Sequence, residues 1–95
     1  MTLVTTPFDA ADYLDTPEAQ AEYLAAAFET GDGDFVKKAL ATLARAHGMT
    51  DVAKSANVSR QSLYRSLAET GDPKLSTFLG VVKALGMKVT IQSAG

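Results

Sequence analysis

The stretch at residues 49–67, MTDVAKSANVSRQSLYRSL, constrains the fold more than any other part of the chain. It predicts two short helices joined by a tight turn. Thr50 is expected to cap the first, which would run to about Ala56. Asn57 is the expected turn residue, because Asn tolerates left-handed backbone better than most residues. Ser59 is placed to cap the second helix, and Val58 before it has the spacing to staple onto Leu63 inside it. Such a staple fixes the angle at which the chain enters the helix. Val52, Ala53, Ala56, Val58, Leu63 and Leu67 would then face inward, Ala53 being small enough for a close helix crossing. Arg60, Gln61, Ser62, Tyr64 and Arg65 are left outside, near a helix N-terminus. Donor-rich side chains in that position suit phosphates and base edges.

A DNA-reading helix sits oddly on a chain of 95 residues with net charge −2. The charge, however, is divided. Residues 1–33 carry seven acids and no Lys or Arg, a net −7; residues 34–95 carry all nine bases and four acids, a net +5, and together these give the −2. Halves of opposite sign predict different partners: an acidic N-terminal helical arm (1–33) and a basic helix-turn-helix domain (34–95). Hydrophobic content of 46 % supports one modest core. With no cysteine, disulfides and thiolate metal sites are excluded. The N-terminus shows no basic n-region, and no apolar run reaches membrane-spanning length, so a cytoplasmic protein without a membrane partner is expected.

Around the central stretch the pattern is mostly helical. Thr16 and Pro17 have the order of an N-cap and first helical residue, Glu18 and Glu22 lie toward the positive end of the dipole, and Gly31 is a natural stop. Tyr23, Leu24, Ala27 and Phe28 supply that helix with an apolar side, and a shorter helical turn is expected just before it, in FDAADYL. In residues 34–48, Val36, Leu40, Leu43 and His47 form a stripe with Phe35 and Ala39 beside it, ended by Gly48. Leu75, Phe78, Leu79, Val82 and Leu85 recur at helical spacing up to Gly86. The closing MKVTIQ alternates instead and predicts a strand. A lone strand cannot satisfy its own backbone. It is expected to pair with the same segment of a second copy, with Met87, Val89 and Ile91 packed on the preceding helix, or with a partner's sheet edge. The expected fold class is all-α, five helices with an N-terminal helical arm and one short C-terminal β-strand.

Catalytic signatures are lacking. His47, the sole histidine, sits at a helix end, where a dipole-facing or core role fits better than catalysis. No Cys/His/Asp cluster has metal-ligand spacing, and GDGD lacks both the EF-hand positions and the P-loop Lys. Neither an enzyme nor a cofactor is expected.

Residues 35–89 resemble an XRE/Cro-type helix-turn-helix domain. The pattern is Thr50-x-x-Ala53-x-x-x-Asn57-Val58-Ser59-Arg60-Gln61-Ser62-Leu63-Tyr64-Arg65, followed by the helix from Pro73 to Gly86; Asn57 stands where the pattern usually has Gly. The whole chain is similar to the HigA-like probable addiction-module antidotes, most specifically in ARAHGM, SLYRSL and GDPKLST. The resemblance implies an antitoxin that binds a RelE/ParE-like toxin and, as a homodimer, represses its operon at palindromic DNA. The expected DNA-facing set is Thr50, Lys54, Ser59, Arg60, Gln61, Ser62, Tyr64 and Arg65; the expected toxin contacts are Tyr13, Glu18, Glu22, Tyr23, Leu24 and Phe28. Met87, Val89 and Ile91 are expected to mediate dimerisation. A stand-alone phage-type repressor and a protein-only helical adaptor are the alternatives.

Overall fold

The structure, a computed structural model, describes residues 15–94. They form five helices: α1 (Pro17–Glu29), α2 (Gly33–His47), α3 (Met49–Ser55), α4 (Arg60–Leu67) and α5 (Leu75–Ala84). Local chemistry sets their starts. The Thr16 hydroxyl accepts from the Ala19 amide at 3.1 Å, and Pro17 opens α1. The Asp32 carboxylate accepts from the Asp34 and Phe35 amides at 3.0 and 3.4 Å, which caps α2. Gly31, at φ +68°, makes the bend between the two helices.

α2 is the centre of the packing and touches each of the other four helices. Its Leu40 and Leu43 are fully buried and meet Leu24 and Ala27 of α1, Met49 and Val52 of α3, Leu63 and Leu67 of α4, and Val81 and Val82 of α5 in one core. α1 therefore shares this core through its two buried residues. Phe28 of α1 meets Phe78 of α5 edge to face, ring centroids 6.0 Å apart. α3 and α5 cross closely where Gly80 faces Ala56: a Cβ on Gly80 would lie 2.8 Å from the Ala56 Cα.

Several expectations change. Thr50 does not cap α3; the helix begins two residues earlier than that cap would place it, at Met49, with Gly48 at φ +121° before it and no side-chain cap. Burial of Met49 in the core fixes that start, and Thr50 is an exposed residue of the first turn. Residues 87–92 form no strand, and none occurs among the described residues. No strand among them offers the segment a ladder partner. Met87 is half-buried against the core and its amide donates to the Val82 carbonyl at 3.1 Å, but Val89 is 44 % exposed at the edge of a groove and Ile91 is 93 % exposed. On α5 itself Leu75 and Leu79 are exposed, while Thr77, Val81 and Val82 are buried. The close Gly80–Ala56 approach sets that rotation. On α2, Phe35 and His47 are also exposed, and His47 lies with Arg45 in the last turn. The helical turn expected in FDAADYL and the contact expected at Tyr13 lie outside the described residues. Among the described residues no helix is long and apolar enough to cross a membrane.

Candidate nucleic-acid interface

The surface of α4 follows from how its start is built. Asn57 adopts φ +61°, the left-handed conformation its position called for. The turn closes with the Asn57 amide on the Lys54 carbonyl at 3.1 Å and the Val58 amide on the Ala53 carbonyl at 3.0 Å. Ser59 then caps α4, its hydroxyl accepting from the Ser62 amide at 3.0 Å. Leu63 and Leu67 are buried and Val58 half-buried, so the rotation of the helix is fixed from inside. Arg60, Gln61, Ser62, Tyr64 and Arg65 are all exposed as a result. Thr50 and Lys54 on α3 are exposed as well.

Two of these side chains are held in a defined arrangement. The Arg60 guanidinium carbon lies 5.4 Å from the centroid of the Tyr64 ring, and Arg60 Nη2 donates to the Tyr64 hydroxyl at 3.4 Å. The two residues are four apart, the spacing that stacks side chains along a helix. Tyr64 thus packs on a neighbouring arginine rather than into the core.

The far end of α4 is fixed by a residue that sequence reasoning passed over. Lys37 of α2 is nearly buried, 11 % of its side chain being exposed. Its Nζ donates to the carbonyls of Glu69 and Gly71 at 2.8 and 2.6 Å. Gly71 folds back so tightly that a Cβ there would lie 2.1 Å from the Arg65 carbonyl oxygen. A cation on carbonyls just beyond a helix C-terminus is favourably placed. The contact of Lys37 with Asp34, at 3.8 Å with that carboxylate 92 % exposed, adds little. The only sequence signal was that Lys37 flanks the Val36–Leu40 side of α2; nothing marked it apart from Lys38.

The residues expected to contact a toxin are divided by the fold. Glu18 and Glu22 are exposed on α1, and Phe28 is 44 % exposed. Leu24 is 5 % exposed and Tyr23 is half-buried against the core, so both are largely committed to packing α1. A groove of about 650 Å³ runs between α1 and the C-terminal segment, with Ala21, Ala25, Phe28, Leu85, Met87 and Val89 along it. No group of His, Asp and Glu among the described residues could hold a metal ion.

Fold and surface together define a small all-α protein whose distinctive feature is an exposed, donor-rich helix. Comparison of the sequence gives the family. Residues 4–93 match the family of probable addiction module antidote proteins, and the chain belongs to that family. It is 33 % identical over 94 residues to an uncharacterized protein of Haemophilus influenzae (strain ATCC 51907 / DSM 11121 / KW20 / Rd), covering 99 % of this chain and 97 % of that one. No solved structure matches significantly. An antidote is a regulatory protein whose partner is a cognate toxin, so family membership assigns this chain an antitoxin role.

Proposed function

We propose that this antitoxin represses its own operon by inserting α4 into the major groove of palindromic operator DNA, and that it neutralises a RelE/ParE-like toxin by direct binding. The observation that carries the DNA reading is the mounting of α4. The left-handed Asn57, the Ser59 cap and the buried Leu63 turn five donor-rich side chains outward on one short helix. That is the construction of an XRE/Cro-like reading head, with Gln61 suited to adenine and the arginines to guanine or phosphate. Lys54 and Thr50 extend the polar surface onto α3. The +5 of residues 34–95 gives this part of the chain the charge that duplex binding needs, whatever the net charge of the whole.

Toxin contact is assigned to the acidic arm, residues 1–33, with Phe28 and the groove beside it as the apolar element and Glu18 and Glu22 as steering charges. Homodimerisation is assigned to residues 87–92. Val89 and Ile91 lie exposed there, and an antiparallel copy of the segment would supply a ladder partner that the described residues do not offer. A dimer would present two α4 helices to successive major grooves about 34 Å apart.

The test is quantitative binding of purified protein to the DNA upstream of its own reading frame, across a salt series, with growth rescue on co-expression with the toxin. Repression by α4 requires sequence-selective, salt-dependent binding. A protein that rescues growth but binds duplex DNA weakly and without selectivity is a protein-only adaptor.

A further inference from the structure

We infer that Tyr64 is a positioning residue that holds Arg60 as the base-reading arginine of α4, while Arg65 serves the phosphates. The inference rests on the proposed DNA reading and assigns separate work to two arginines that the sequence leaves equivalent. Arg60 is at the first position of α4, where a free arginine could swing toward phosphates on either side. It is not free: its guanidinium lies 5.4 Å from the Tyr64 ring centroid and Nη2 reaches the hydroxyl at 3.4 Å. One N–H of the five is occupied, which leaves a planar fork for the O6 and N7 acceptors of guanine. Arg60 opens α4, at the end whose residues reach base edges when such a helix enters the major groove, and Arg65 lies more than a turn further along. No partner holds the Arg65 side chain among the described contacts.

Arginine carries a large rotamer entropy, and immobilising such a side chain on binding is a main cost of recognition. A ring that immobilises it beforehand moves that cost into folding. Loss of the ring should therefore weaken binding to the preferred site about threefold to tenfold, on the scale of one ordered side chain. The loss should fall on the base pair Arg60 reads and leave the salt slope alone, because no phosphate contact is removed. The ring face carries the effect, so Tyr64→Phe should stay close to the parent protein.

The experiment uses the full chain and duplexes it selects from a random-sequence pool, with every single-base variant of the selected site. Tyr64→Leu, Tyr64→Phe, Arg60→Ala and the double variant Arg60→Ala/Tyr64→Leu are compared, each verified as helical. The expected result is that Tyr64→Leu relaxes discrimination at the same base pair as Arg60→Ala, that Tyr64→Phe does not, and that the double variant is no worse than Arg60→Ala. The inference is overturned if Tyr64→Leu leaves discrimination intact while Arg60→Ala relaxes it. A uniform loss across all duplexes with a shallower salt slope overturns it too, since Tyr64 would then touch the backbone. Failure of the parent protein to select any duplex defeats the DNA reading itself, a result distinct from either.

Discussion

α4 and α5 are helices of eight and ten residues, each buried on one side against the same core, and they differ on the other side. The outer face of α4 carries Arg60, Gln61, Ser62, Tyr64 and Arg65, all polar or donor-bearing. The outer face of α5 carries Leu75 and Leu79, 71 % and 47 % exposed, beside the exposed Ser76 and Lys83. The first is a surface for a charged, hydrogen-bonding ligand; the second is apolar area that water covers poorly. A helix whose polar residues are segregated can face only one way, because every other rotation buries a charge. A helix whose apolar residues extend onto its outer side, with Lys83 its single charge, is held less strictly by its polar residues. In α5 the approach of Gly80 to Ala56 sets the face, which leaves two leucines outside.

Substitutions can break or sharpen this contrast, and the largest effect belongs inside α4. Leu63 is fully buried, so Leu63→Ala should lower unfolding free energy by about 2–5 kcal/mol in urea titration and take the α4 surface with it. Gly80→Ala probes the device that orients α5. Helix propensity favours the change by about 1 kcal/mol, but overlap with the Ala56 backbone should outweigh it, for a net loss of about 1–3 kcal/mol in thermal unfolding. Stabilisation by Gly80→Ala would mean that the crossing does not set the rotation of α5. Ser59→Ala removes the α4 cap and should cost about 1 kcal/mol, with faster amide exchange confined to the first turn of α4. The smallest effect is expected outside α5: Leu75→Ser, at the first position of the helix, should change stability by no more than about 0.5 kcal/mol, because 71 % of this residue is already in water. A large loss there would place Leu75 in the core and erase the difference between the helices.

How much of the molecule was legible follows the same division. The turn at Asn57, the Ser59 cap, the inward Leu63 and Leu67 and the outward arginines were all readable, since each is a local rule satisfied within a few residues. The Thr16 cap and the Gly31 bend were readable for the same reason. Features decided by distant contacts were not. The start of α3 is set by burial of Met49 rather than by Thr50, and the face of α5 by Ala56, twenty-four positions before Gly80. Lys37 reaches carbonyls thirty-two and thirty-four residues away, which no local pattern announces. The alternation in MKVTIQ was real as a pattern, but a strand is defined by its neighbour, and the described residues supply none. Of the toxin-contact residues, the pattern identified an apolar side of α1 but could not tell that Leu24 would be spent on α2 while Phe28 stayed partly outside.

The central claim is that α4 is a DNA-reading helix, and the salt dependence of duplex affinity tests it most directly. Binding of the selected duplex should fall linearly with salt on logarithmic axes, and each phosphate contact removed should flatten the slope by about 0.9. Arg65→Ala and Lys54→Ala should each flatten it in this way, whereas Arg60→Ala should keep the slope and lose about 1–3 kcal/mol at one base pair. If all three variants retain their helical content and bind with unchanged affinity and unchanged slope, DNA does not meet this face and the account is contradicted.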